Sequence, residues 1–351
     1  MSSSVRPLSG IKVIEIAGLA PVPLCGQILA DFGAEVTLVS KKKDMEQRLI
    51  RGKKHISLDF KKELPTLRSM ILNSDVLLEP YRPGVLEAIG LDPVDLMKEN
   101  EKLIVARLTG YGQTGDLSRE AGHDINYVSL SGLLPIVAGH NRKPYWTPGN
   151  LLADFAGGGL TCAFGIMAAL VQRNKSGGKG SVVDCSMVEG LAYLGNWITN
   201  YSDMDLFWHA PYAAFSGDCP IYRTFETKDG KFMSVGALEG KFNITLFKIL
   251  GIKAKKVELV ENPQKLVDEM EHIFKTKTRD EWTEIFLHAD CCVAPVLELN
   301  EVGELKHHQD RENFIKDEDG KWLPKPAPRL YTREEFAQIR QQDLDSRKSK
   351  L

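Results

Sequence analysis

The sequence predicts an α/β protein: a large domain built on a parallel sheet, followed by a smaller α+β domain. Three observations predict it. Short apolar strands alternate with helical segments through the first part of the chain. After residue 220 the pattern changes to a hairpin followed by helices. The 351 residues are too many for one ordinary core and suit two domains.

The elements follow in order. Ile11–Ile16 is a strand, Ala17–Pro23 a loop, Leu24–Phe32 a helix stopped by Gly33, and Glu35–Val39 a second strand. Asp75–Glu79 and Leu103–Leu108 are further apolar strands, with helices near 65–73 and 93–98 between them. Strand and helix in alternation predict a parallel, Rossmann-like sheet. Phe155–Val171 carries no charge and holds Gly157, Gly158, Gly159 and Gly165. It falls short of the ~20 apolar residues of a membrane span, and is expected to be a buried helix that neighbouring backbone can approach closely. Ser181–Asp184 follows as a strand. Residues 221–227 and 231–235 alternate around Asp229-Gly230, a hairpin signal. Helices are expected near 241–250, 263–274 and 278–288, the last opened by the capping box Thr278-Arg279-Asp280-Glu281. Val293–Leu297 resembles a strand end, and Asp317-Glu318-Asp319-Gly320 a surface turn. The expected organisation is therefore a large domain over 1–195, a linker over 196–220, a small α+β domain over 221–290, a return segment to the large domain over 291–335, and a polar tail over 336–351.

Composition excludes several classes. The formal net charge of −2 supplies no global field for nucleic acid. The six cysteines, Cys25, Cys162, Cys185, Cys219, Cys291 and Cys292, contain no C-x-x-C pair, so neither zinc nor a disulfide framework is expected. The loop after the first strand lacks G-x-G-x-x-G, and no phosphate-binding P-loop occurs, which argues against nicotinamide and ATP chemistry. The last three residues, Ser349-Lys350-Leu351, spell a peroxisomal import signal.

Chemistry-bearing residues fall in three segments: Gly122-His123-Asp124 with Asn126 and Tyr127, Asp154 ahead of Gly157-Gly158-Gly159, and Glu239 after Gly236-Ala237. A histidine has the side chain whose free pKa lies nearest working pH. Asp154 reads as the N-cap of its helix, held as carboxylate by the positive helix end, whose amides could also meet an oxygen that gains charge. An imidazole and a carboxylate facing one carbon could invert a stereocentre beside a carbonyl. A basic region, Lys41 to Lys43 with Arg51, Lys53, Lys54, Lys61 and Lys62, could meet a phosphate-rich ligand.

Leu8–Glu15, Leu29–Ala34, the run Arg107-Leu108-Thr109-Gly110-Tyr111-Gly112-Gln113-Thr114-Gly115, and Gly178–Asp184 resemble the family III CoA-transferase superfamily. Gly122–Tyr127, Leu151–Gly159 and Val235–Glu239 resemble, within it, the α-methylacyl-CoA racemases. The resemblance implies the family III CoA-transferase fold in an interlocked homodimer, and interconversion of 2R and 2S 2-methyl-branched acyl-CoA thioesters. No metal or redox cofactor is implied, coenzyme A being part of the substrate. The implied catalytic residues are His123, acting on the 2S substrate, Asp154, acting on the 2R substrate, and Glu239, which would support the histidine of the other subunit. Asp124 and Tyr127 would support the histidine loop. Arg82, Lys41, Lys53, Lys54 and Lys62 would meet the CoA phosphates, although Leu38 and Ala88 stand where relatives carry basic residues. Expected partners are the acyl-CoA, a second copy of the chain and the peroxisomal import receptor, with neither nucleic acid nor membrane. The rival readings are a CoA-transferase using Asp154 as nucleophile and a non-catalytic acyl-CoA binder.

Overall fold

The computed structural model describes residues 5–41, 48–139, 143–145, 147, 149–253 and 262–348. Lys42, Lys43 and the Ser349-Lys350-Leu351 signal lie outside the described residues. Two compact units emerge, one formed by Met1–Leu134, Trp146–Asn196 and Pro326–Leu351, the other by Pro135–Tyr145 and Trp197–Lys325.

The first unit holds six strands: β1 (Lys12–Ile16), β2 (Glu35–Ser40), β3 (Lys53–Ser57), β4 (Val76–Glu79), β5 (Ile104–Thr109) and β6 (Val182–Ser186). They pair in the order β3-β2-β1-β4-β5-β6, every pair parallel. Crossovers go to one side of β1 and then the other, so the order reverses between β1 and β4. At that switch the loops after the two strands diverge and leave a crevice at their carboxyl ends. Its helices include α1 (Pro21–Asp31), α2 (Leu64–Leu72), α3 (Pro93–Glu99), α4 (Asp124–Leu130), α5 (Leu151–Lys175) and α6 (Met187–Leu194). Ile14, Ile16, Leu67, Ile71, Leu77, Leu96 and Val105 make one buried core on the sheet. Burial of β4 and β5 on both faces explains their largely apolar sequence, Glu79 and Arg107 being buried as a pair.

α5 departs from expectation in length and winding. Its first ten residues, Leu151–Leu160, form a wide-wound π-helix that passes into α-helix over Thr161–Lys175. At 25 residues it is long and apolar enough to cross a membrane by length and composition alone. Its glycines act as the sequence suggested. A methyl group on Gly190 of α6 would lie 2.0 Å from the Gly157 carbonyl oxygen, so the two backbones touch.

In the second unit, β7 (Tyr222–Glu226) and β8 (Phe232–Gly236) form the expected hairpin, with Gly230 at φ +73° in its turn. α7 (Gly240–Leu250), α8 (Pro263–Phe274) and α9 (Arg279–Phe286) cover it over a core that includes Phe225, Phe274, Trp282 and Phe286. The capping box is formed: the Thr278 N–H donates to Glu281 and the Glu281 N–H to Thr278 Oγ1.

Two expectations about the organisation are corrected. Residues 196–220 are not an open linker. Trp197, Phe207, Trp208 and Phe215 stack there as an aromatic cluster, with centroids 5.3–5.8 Å apart for the pairs Trp197–Phe207 (5.8 Å), Trp197–Trp208 (5.5 Å), Trp197–Phe215 (5.7 Å), Phe207–Phe215 (5.7 Å) and Trp208–Phe215 (5.3 Å). Residues 291–325 do not return to the first unit. β9 (Val293–Pro295) adds an antiparallel third strand beside β8, and β10 (Phe314–Lys316) pairs with β11 (Trp322–Pro324) around the expected Asp317–Gly320 turn. The polar tail contains a helix, α10 (Arg333–Lys348), despite the absence of an apolar stripe.

Candidate active site

The crevice at the switch point is a cavity of about 420 Å³ within the first unit. Its walls are the loops that leave the sheet: Ala17–Val22 after β1, Pro80–Arg82 after β4 and Leu108–Tyr111 after β5. Ser118, the segment Glu120–His123, Tyr127, Asp154 and Met187 complete it. The two expected bases therefore share one cavity, although 31 positions separate them in the sequence.

His123 occupies the cap position of α4 and is exposed. Its backbone N–H donates to Asn126 Oδ1 at 3.0 Å, which fixes the turn into the helix. Gly122 serves space rather than an unusual dihedral. A methyl group there would lie 2.6 Å from the Tyr111 hydroxyl and 2.7 Å from the Tyr127 ring.

Asp154 is not the N-cap of its helix. That helix begins three residues earlier, after Asn150. The backbone amides near its start are capped instead by Asp124, which is 5% exposed. Asp124 Oδ1 accepts from the Ala153 N–H at 2.7 Å and the Asp154 N–H at 2.8 Å, and its Oδ2 accepts from Thr147 Oγ1 at 3.3 Å. A buried carboxylate is well placed to satisfy amides that have no partner within their helix. Asp124 follows His123 directly, so one residue ties the histidine turn to the aspartate helix. The Asp154 carboxyl itself is raised above the ordinary aspartate value of 3.8, burial being the main cause. The Asn150 amide donates to its Oδ2 at 3.4 Å and, with the charge of His123, opposes that rise, while Asp124 adds to it. Burial thus outweighs the Asn150 hydrogen bond and the His123 charge. A raised carboxyl is the stronger base.

Tyr127 is 6% exposed, and the edge of Tyr111 packs against it, ring centroids 5.1 Å apart at 81°. Burial pushes its hydroxyl up to about 12. Glu239 lies in the second unit, exposed, at the cap of α7.

The basic residues divide. Arg82 lines the cavity and donates from Nη1 to the Arg119 carbonyl at 2.7 Å, bracing the segment that leads to His123. Lys41 stacks its ammonium 5.6 Å from the ring of Tyr81, another wall residue. Lys54 and Lys62 are exposed. Lys53 is removed from the phosphate set. Its side chain is fully buried, 2.7 Å from Glu15 Oε2, and it also donates to the Pro23 carbonyl. Desolvation lowers Lys53 and raises Glu15 to about 7, as expected for a pair taken out of water. Leu38 is buried within β2, 2% exposed.

Sequence reasoning missed Tyr111, Asn150, Met187 and the buried pair beneath the crevice, in which Glu79 accepts from Arg107 Nε at 2.6 Å. Its signal was a lone acid closing an apolar strand, Val76–Glu79. The described residues hold no cluster of His, Cys, Asp or Glu able to bind a metal ion.

Fold and site together define an α/β protein with a histidine and an aspartate lining one cavity at the switch point of a doubly wound sheet. The chain belongs to CoA-transferase family III, which it matches over residues 8–343. It is 52% identical over 337 residues to a CaiB/BaiF CoA-transferase family protein of Caenorhabditis elegans, covering 95% of this chain and 98% of that one. It is 45% identical to the α-methylacyl-CoA racemase of Homo sapiens and 44% to that of Mus musculus, each match covering 92% of this chain and 86% of the relative. A solved CaiB/BaiF family protein from Brucella suis shares the fold, with a TM-score of 0.76 at 23% identity over 97% of this chain and all of that one. The expected family and family III CoA-transferase fold are thereby confirmed.

Proposed function

We propose that this chain is an α-methylacyl-CoA racemase that interconverts 2R and 2S 2-methyl-branched acyl-CoA thioesters through an enolate. The observation that carries the reading is His123 and Asp154 opening into one cavity. A thioester carbonyl acidifies its α-proton. One base removes it, and the conjugate acid of the other returns a proton to the opposite face. His123 would act on the 2S substrate and Asp154 on the 2R. The raised carboxyl of Asp154 suits that task. The identity of 44–45% to racemases, against 29% to the succinyl-CoA:glutarate CoA-transferase of Homo sapiens, points the same way. A transferase would need the carboxylate as nucleophile but no second base.

Arg82, Lys41, Lys54 and Lys62 are the cations we assign to the CoA phosphates. Two subunits would share their sites, Glu239 of one supporting His123 of the other. Mixed His123→Ala and Glu239→Ala subunits should then regain activity that neither has alone, and failure to do so would refute the sharing. Ser349-Lys350-Leu351 would deliver the protein to peroxisomes, and a full-length protein lacking these residues should lose that location.

The test is loss of optical purity from a single epimer of a 2-methylacyl-CoA. Racemisation supports the reading. CoA passing to an added free acid, without racemisation, would make the protein a transferase. Binding without either reaction would make it an acyl-CoA binder.

A further inference from the structure

Removal of an α-proton places negative charge on the thioester oxygen, and an enzyme lowers the barrier by aiming a preset donor at that oxygen. Two amides at the helix end expected to serve are already engaged. Those of Ala153 and Asp154 both donate to Asp124 Oδ1.

The cavity offers another donor. Tyr127 lines it together with both bases, and its side chain is almost wholly buried. Yet its hydroxyl makes no hydrogen bond with any described residue. The ring has little freedom. Tyr111 packs edge-on against it. A methyl group on Gly110 would lie 2.6 Å from the Tyr127 hydroxyl oxygen, and one on Gly122 would lie 2.7 Å from the ring. The chain thus keeps glycine on both sides of this ring and fixes an unpaired donor beside the bases. The charges of Asp154 and Arg82 both act on the hydroxyl.

We propose that the Tyr127 hydroxyl donates to the thioester carbonyl oxygen and holds the charge of the enolate while His123 and Asp154 move protons at the neighbouring carbon. The proposal rests on the racemase reading. In the step, the base takes the α-proton, the C–H electron pair becomes the carbon–carbon π bond, and the carbonyl π pair moves onto oxygen. Reprotonation at carbon reverses these shifts. The tyrosine keeps its proton throughout, consistent with a hydroxyl pushed up to about 12.

Tyr127→Phe keeps the ring and its packing while removing the donor. Its kcat for racemisation should fall about 100-fold, the usual loss for one such donor. The loss should be uniform across pH with the melting temperature unchanged, while the affinity for a dimethyl-branched acyl-CoA, which presents the same thioester oxygen but no α-proton, should fall only about 3-fold to 10-fold. A purely structural tyrosine would give wild-type kcat in the Phe variant, and that result overturns the proposal while leaving the racemase reading intact. A displaced pH profile would show that the ring acts through His123 instead, which also overturns it. If the wild-type protein does not racemise at all, the reading fails and the proposal with it.

Discussion

Asp124 offers the sharpest single perturbation of the site, because one carboxylate secures the helix that carries Asp154. Asp124→Ala leaves the Ala153 and Asp154 amides without their acceptor, while the Thr147 hydroxyl keeps the Gly149 carbonyl. Each bond from a buried amide to a carboxylate is worth about 1.5–3 kcal/mol. Water entering the gap recovers part of this, so the net loss of stability should be about 3 kcal/mol. The loss of activity should be larger than stability alone explains. Release of the amides lets Asp154 drift, and a misplacement of about 1 Å costs on the order of 100-fold in rate. Asp124→Asn retains an oxygen acceptor without the charge and should fall between. Urea unfolding followed by tryptophan fluorescence measures the first effect, and racemisation at a temperature where every variant is folded measures the second. An Asp124→Ala protein as stable and as active as wild type would refute the capping argument.

Other predictions follow from the same geometry. Asp154 accepts a proton only as carboxylate, and its pKa is raised, so conversion of the 2R epimer should fall on acidification while the pH is still above the ordinary aspartate value of 3.8. Asn150→Ala removes a bond that lowers this pKa, so the acid limb measured in the variant should move to still higher pH. Lys53→Met strands Glu15 in the core and should cost about 3–5 kcal/mol, without changing CoA affinity by calorimetry. With Glu15 raised to about 7, the penalty should be smaller at pH 5, where the carboxyl is neutral, than at pH 8. Gly190→Ala forces a methyl group to 2.0 Å from the Gly157 oxygen, and its thermal midpoint should show a loss of about 3 kcal/mol or more.

Much of the first unit was legible in sequence because its central strands are buried on both faces and read as mostly apolar runs, each with a single buried charged residue. β3 was not. Lys53-Lys54-His55 looks like a solvated basic face, yet it pairs with β2 as a sheet edge, and Glu15, 38 positions away, accepts its one buried ammonium. The same blindness placed Lys53 among the phosphate ligands. Pattern shows that a charge exists but not that a distant carboxylate has claimed it. Asp154 was found, but its capping role belongs to Asp124, since ownership of helix-end amides depends on which loop folds over them. Residues 196–220 read as a linker because an aromatic cluster has no period. β9 was recognised as a strand end, yet its partner β8 could not be read from so short a segment.

The most direct test of the two-base account is α-proton exchange in D2O with each pure epimer and each base removed in turn. The wild type should exchange the α-proton and invert both epimers. His123→Ala should still exchange the 2R epimer through Asp154, and Asp154→Ala the 2S epimer through His123, each without inversion. Inversion that survives loss of either residue, or a His123→Ala protein indistinguishable from wild type, would contradict it.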